Sequence, residues 1–286
     1  MNERAALSLV GGLVSAAGDD AAVVDGTVFT IDMLHDDTDF PAGTTRYTAG
    51  WRSVGASLSD VAAMGGDATA AVGVYGAPDF DADALTAFVT GALDVCEDVG
   101  AEYVGGDLDG HDEFTVATAA IGRAEDPVCR GGASAGEKLV VTGTLGRTAA
   151  AMALFEHGDT ELANELFRFR PRVAAGRALA GHATAMMDSS DGLARSLHQL
   201  SEASDCGFAV DADSVPVAAD LSDLVDDPLD AAVTYGEDFE LVATVPEGAV
   251  DAVRAATDVP VSVVGDVTES GVTLDGEALP DRGWTH

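Results

Sequence analysis

The sequence predicts an α/β protein built from two units. Strands alternate with amphipathic helices in both halves. A length of 286 residues accommodates two ordinary domains. Between the halves lies a small, polar, glycine-rich stretch, CRGGASAGE, at 129–137. The division is placed there, giving units 1–134 and 135–286.

Residues 21–32 (AAVVDGTVFTID) read as two β runs around an Asp25-Gly26 hairpin turn. Across 45–64, Val54, Leu58 and Val61 recur at helical spacing, and Gly65-Gly66 closes the run as a C-cap. AVGVYG (71–76) reads as a strand. Leu85, Phe88, Val89, Leu93 and Cys96 make 82–98 an amphipathic helix. EYVGGD (102–107) and FTVATAAIG (114–122) follow as strands. Past the junction, KLVVTG (138–143) is a strand, GTLGRT (143–148) a turn and RTAAAMALFEHG (147–158) a helix. A second helical run follows Arg172, then the short strand ATAMM (183–187). MMDSSDGLARSL (186–197) hands this strand to a helix marked by Leu193, Leu197 and Leu200. ELVATV (240–245) and VSVVGDV (261–267) read as buried strands, and VTLDGEAL (272–279) as a hairpin turning at Asp275-Gly276.

Charge bounds the function. Fifty Asp and Glu face 14 Lys and Arg, a formal charge of −36, and Lys138 is the single lysine. Such a surface repels itself in dilute salt, but near 1 M salt the Debye length falls to about 3 Å and the repulsion is screened. A halophilic, salt-rich cytoplasm is the expected setting. The N-terminal stretch does not read as a secretion signal, because Glu3 cancels Arg4 and Gly11-Gly12 break the apolar run. Nothing resembles a basic footprint for nucleic acid, and anionic membranes are disfavoured. No apolar run reaches the roughly 18 residues of a spanning helix. Cys96, Cys129 and Cys206 lie far apart without a C-x-x-C, which suggests reduced thiols and not a disulfide frame or a zinc site.

In so acidic a chain most carboxylates need no chemical explanation, but some positions stand out. Asp188 and Asp191 bracket two serines where a strand meets a helix. An Asp or Ser there is ordinarily the N-cap. That accounts for one such residue and not for a second carboxylate three positions away. Carboxylates at a strand end beside a helix N-terminus can hold a divalent cation while backbone N–H groups take phosphate oxygens. The same grammar recurs at Gly18-Asp19-Asp20, at Asp32, at Gly105-Gly106-Asp107 and at Gly236-Glu237-Asp238. Each alone reads as a turn. Asp60 differs, because it punctuates the apolar helical stretch SLSDVAAMGG. Together these sites predict a carboxylate-lined cleft between the units, suited to Mg2+. No Walker motif and no G-x-S-x-G elbow occur, and the six histidines lack metal-ligand spacing. Arg130, Arg147, Arg168, Arg170 and Arg172 are expected to pair with carboxylates, some reaching phosphate.

Taken in order and spacing, GDDAAV, TID, SLSDVAAMGG, VGGD, DSSDGL and GEDFELVAT resemble the thiamine-monophosphate kinases of the aminoimidazole-ribonucleotide-synthetase-like superfamily. The resemblance runs from about residue 18 to the C-terminus. It implies the two-domain fold of that superfamily, with the N-terminal unit binding ATP and metal and pairing its sheet with that of a second copy in a homodimer. The C-terminal unit would complete the active site. The implied reaction is ATP-dependent, in-line phosphorylation of thiamine phosphate to thiamine diphosphate, with several Mg2+ ions and K+ as a further candidate. By the family pattern, Asp20, Asp32, Asp60, Asp107, Asp188 and Asp191 would be metal ligands. Thr30, the backbone of Ile31, Gly106, Arg130 and Ser190 would lie along the nucleotide. Glu237 would touch the thiamine moiety and Trp284 would stack on it. No residue is expected to act as a general base, because the acceptor is already a phosphate oxyanion.

Two departures fall on the acceptor side. Asp39, in HDDTDF, stands where the family usually has histidine, with His35 nearby as a substitute. Tyr235 precedes Gly236-Glu237-Asp238 where a second glycine is usual. Rival readings are another ATP-dependent member of the superfamily, a purine-pathway cyclase or a hydrogenase-maturation dehydratase. A different class is a non-catalytic protein that binds nucleotide or divalent ions.

Overall fold

The structure, a computed structural model, describes residues 9–14 and 16–284. Glu3 and Arg4, which bear on the reading of the N-terminus, lie outside them. Among the described residues, no helix is long and apolar enough to cross a membrane.

The first sheet comprises β1 (Ala22–Val24), β2 (Thr27–His35), β3 (Asp67–Ala77), β4 (Glu102–Gly110) and β5 (Thr115–Arg123). Its order is β1-β2-β5-β3-β4, antiparallel except for β3 and β4. Asp25 and Gly26 both take positive φ, 50° and 72°, as a two-residue type I′ hairpin turn requires. Period-two alternation splits β2 between two faces. Val28 and Leu34 are buried inward with Thr30 and Asp32 on the same side, while Phe29, Ile31 and Met33 are exposed on the other.

Two helices cover the inner face, α1 (Arg46–Ala63) and α2 (Ala82–Val99). The Thr45 hydroxyl caps α1 by accepting the Thr48 N–H. The helices approach closely: a Cβ on Gly50 would lie 2.0 Å from the Phe88 carbonyl oxygen, and one on Gly91 2.0 Å from that of Tyr47. Only glycine permits this crossing.

The second sheet comprises β6 (Lys138–Thr142), β7 (Ala185–Asp188), β8 (Gly207–Val210), β9 (Leu241–Val245), β10 (Val261–Thr268), β11 (Val272–Leu274) and β12 (Glu277–Ala278). It is ordered β12-β11-β8-β10-β6-β9-β7, and only β8 and β11 run parallel. Its helices are α3 (Arg147–His157), α4 (Thr160–Phe167), α5 (Val173–Ala180), α6 (Leu193–Ser204), α7 (Pro228–Thr234) and α8 (Val250–Ala256). The sequence pattern finds the two longest helices and those short strands that a turn signal or an apolar run marks, and it misses α4, β8, α7 and α8. Those four are only four to eight residues long, too short for periodicity to distinguish.

α1 lies between the two sheets and is buried on nearly every side. Val54, Leu58 and Val61, all fully buried, share one core with Val140, Met186 and Leu241 of the second sheet. Burying each such side chain stabilises by about 1.5–3 kcal/mol. One apolar helix thus joins both halves, and its polar residues are held at the junction.

Candidate functional site

At that junction carboxylates from distant segments meet. Asp60 projects from α1, Asp188 ends β7 and Asp20 precedes β1, and each offers one oxygen within 4.8 Å of the other two. Hydroxyls of α1 and β2 hold the group. Thr30 Oγ1 donates to Asp60 Oδ2, Ser59 Oγ donates to Asp188 Oδ2 at 2.6 Å, and Ser57 Oγ donates to the neighbouring Asp32 at 2.6 Å. The Ser190 N–H closes a turn onto Asp188 Oδ1 at 3.1 Å. Neither aspartate nor serine caps α6, since Gly192 occupies the N-cap with φ 94° and no side-chain bond.

The charges are crowded in little water. Burial, followed by the Asp32, Asp188 and Asp20 charges, holds the Asp60 carboxyl well above the usual carboxylate range. Burial and then Asp20 push Asp188 up to about 7, against the lowering pull of its bonds from Ser59 and Ser190. Arg130 partly offsets the negative field: Nε and Nη2 donate to the two Asp20 oxygens at 3.2 and 3.1 Å. Burial pulls the Arg130 pKa down, but Asp20, Asp188 and Asp60 outweigh it and raise it. Buried carboxylates that hinder one another's ionisation form a donor set that fits a hard divalent cation.

The other expected ligands are Asp32, Asp107 and Asp191. Asp32 stands beside it, close enough to raise the Asp60 pKa. The Asp191 carboxylate receives Gln199 Nε2 at 3.3 Å, while its backbone carbonyl accepts the Trp284 N–H. Asp107 sits exposed on the edge strand β4. With Gly106 it borders a groove of about 650 Å³ walled by Leu85, Phe88, Val89 and Tyr103. Gly106 faces Gly73 across the parallel pair, where a Cβ would come 1.7 Å from the Gly73 carbonyl oxygen. The Ile31 side chain points away, on the open face of the first sheet.

A second polar centre flanks the first. Glu237 pairs with Arg52 Nη2 at 2.5 Å, and Arg52 is only 2% exposed. Burial lowers the Arg52 pKa, with Glu237, Asp238 and Asp39 drawing it back up. Asp39 is itself buried and accepts the His35 N–H at 2.8 Å, which places it on the Arg52 side. His35 turns instead to Thr115 and Glu113. Tyr235 meets Trp284 at 5.5 Å between ring centroids. Burial first, then Glu237 and Glu156, raise the Tyr235 pKa to about 12. Arg195 Nη1 holds the Trp284 carbonyl at 3.0 Å.

Sequence reasoning missed Arg52 and the roles of Asp238 and Glu240. Asp238 accepts the Gly146 and Thr148 N–H groups at 2.6 and 2.8 Å and so caps α3 from another segment. Glu240 is clasped by Arg172 Nε and Nη2 at 2.7 and 2.5 Å. Of the five arginines singled out, Arg130, Arg170 and Arg172 pair with carboxylates. Arg147 reaches backbone carbonyls and Arg168 the Thr48 hydroxyl.

Two family models match the chain, AIR synthase related protein, N-terminal domain, over residues 18–124 and the corresponding C-terminal domain over 134–276. The thiamine-monophosphate kinase of Halobacterium salinarum is 70% identical over 288 residues, covering 100% of both chains. That of Methanospirillum hungatei is 38% identical, covering 94% of this chain and 92% of its own. Among solved structures, AaThiL complexed with AMPPCP and TMP matches with a TM-score of 0.90 at 26% identity, over 100% of this chain and 97% of that one.

Proposed function

The chain belongs to the AIR synthase related proteins and, among them, to the thiamine-monophosphate kinases, and on that premise we propose the following reaction. ATP donates its γ-phosphoryl group directly to the phosphate of thiamine phosphate, giving thiamine diphosphate and ADP. The observation that carries this reading is the convergence of Asp20, Asp60 and Asp188 beside Arg130.

The acceptor is an oxyanion at neutral pH and needs no proton removed. The obstacle is repulsion between two polyanions, so catalysis consists of positioning and charge neutralisation. Bound Mg2+ would supply positive charge that offsets this repulsion. Asp20, Asp60 and Asp188 would hold it, with Asp32 adjoining and with Asp107 and Asp191 as the further ligands that the family pattern implies. Thr30, the Ile31 backbone, Arg130 and Ser190 line the phosphates. The groove beside Gly106 has the apolar walls that suit a purine. At the far end Glu237 meets the cationic acceptor and Trp284 stacks on it, an arrangement worth about 0.5–2 kcal/mol. Asp39 borders the same end.

The two units, divided near residue 134, share this work, the first holding nucleotide and the second closing over the acceptor. The open face of the first sheet bears Phe29, Ile31, Met33, Val72, Val74 and Ile121, and Ile31 is 75% exposed. So continuous an apolar surface on a chain of charge −36 supports a homodimer that pairs these sheets. The cytoplasm, with its ATP and Mg2+, is the fitting location.

Incubation with Mg-ATP in concentrated KCl tests the reading. ADP release that depends on thiamine phosphate, with thiamine diphosphate identified by mass spectrometry, is the expected result. Nucleotide binding without turnover would refute it.

A further inference from the structure

We propose that Arg52 is a positioning residue for the acceptor, aiming the Glu237 carboxylate at the cationic end of thiamine phosphate. The proposal rests on the acceptor reading above.

Glu237 sits in an uncommon backbone conformation. Its φ is +63°, that of Gly236 is +85° and that of Phe239 is +53°. Two side-chain-bearing residues in the left-handed region cost free energy, so the surrounding structure must impose the loop. The Glu237 N–H donates to the Ser190 carbonyl at 2.7 Å, and the Thr148 hydroxyl donates to the Glu237 carbonyl at 2.7 Å. Those bonds fix the main chain. The carboxylate is met by Arg52 Nη2.

Arg52 is itself immobilised. Nη1 donates to the Phe167 carbonyl at 2.5 Å, and the guanidinium lies 3.6 Å over the Phe167 ring, with Phe169 and Phe239 at 5.3 and 5.7 Å. Phe169 and Phe239 stack at 4.1 Å. A planar guanidinium uses its edges for hydrogen bonds and its face for the ring, which an ammonium cannot reproduce. Arg52 stands on the same helix as Asp60, eight residues away, or about 12 Å along the axis. One rigid helix thus sets the spacing between the end that grips charge on the acceptor and the end that grips metal.

The test is a mutant cycle of Arg52→Gln and Glu237→Gln, with KM measured for thiamine phosphate and for ATP in concentrated KCl. Arg52→Gln is expected to raise KM for thiamine phosphate about tenfold while KM for ATP stays within about twofold. In the Glu237→Gln background it is expected to add little, because residues acting as one unit are not additive. If Arg52→Gln alone does not fold, Arg52→Lys in the same two backgrounds gives the comparison, since it keeps the charge and loses the fork. Equal rises in both KM values, or the same fold-change in both backgrounds, would overturn the proposal and leave the acceptor reading standing. An unchanged KM for thiamine phosphate in Glu237→Gln would overturn the acceptor reading itself, and the proposal with it.

Discussion

Arg130 clasps Asp20 through Nε and Nη2, and this ion pair stands at the edge of the Asp60 and Asp188 carboxylates. The guanidinium therefore occupies electrostatically the place a divalent ion needs. Arg130→Gln is expected to bind Mn2+ about tenfold more tightly without nucleotide, because a competing cation is gone. Its KM for ATP should rise, since Arg130 is proposed to line the phosphates. Manganese titration followed by electron paramagnetic resonance reads the first effect. Weaker Mn2+ binding would exclude competition.

The same crowding dictates a pH dependence. Asp188 titrates at about 7 in the folded chain, against about 3.9 in an unfolded one. Between those values the native state holds a proton the unfolded chain has released, so metal-free stability falls as pH rises through this window. Asp238, also near 7, has the same sign. Thermal melts from pH 4 to pH 8 in concentrated KCl with a chelator should show the decline. Saturating Mg2+ should flatten only the part due to Asp188 and its neighbouring carboxylates. A decline unchanged by Mg2+ would mean that no ion binds there.

Asp238→Asn offers one oxygen and one amide where two backbone N–H groups need acceptors. The start of α3 should lose about 1–3 kcal/mol, since a buried donor is left unmatched. A lowered denaturation midpoint with an unchanged slope is the signature.

Much of this site can be read from the chain, and the reasons are specific. Asp32 is visible as an acid ending the strand FTID, whereas Thr30 enters only through the family resemblance, its place beside Asp60 being set by the fold. Asp60 stands out because an acid among Leu58, Val61 and Met64 has no solvated face to occupy. Asp188 is visible as a second acid at a junction where a cap would need only one. Arg52 is not legible, because RYTAGWRSV reads as an ordinary polar helical face. Its burial depends on Phe167 and Phe169, more than a hundred residues away. Nor does any local signal place Glu237 and Phe239 at positive φ. Neither is glycine, asparagine or aspartate, so tertiary contacts alone impose the turn.

Ile31 lies midway along β2 on the open sheet face, opposite Ala119 of β5. Ile31→Asp should convert a dimer to a monomer in sedimentation measurements at high salt, with the fold retained by circular dichroism. A wild-type monomer would remove the paired-sheet assembly.

The convergence of acids on divalent ions is tested most directly by anomalous diffraction. Crystals grown with Mn2+ and a non-hydrolysable ATP analogue would be measured at the manganese edge. Anomalous peaks are expected at bonding distance from Asp20, Asp60 and Asp188. Peaks confined to other residues, with these three carboxylates unliganded, would contradict it.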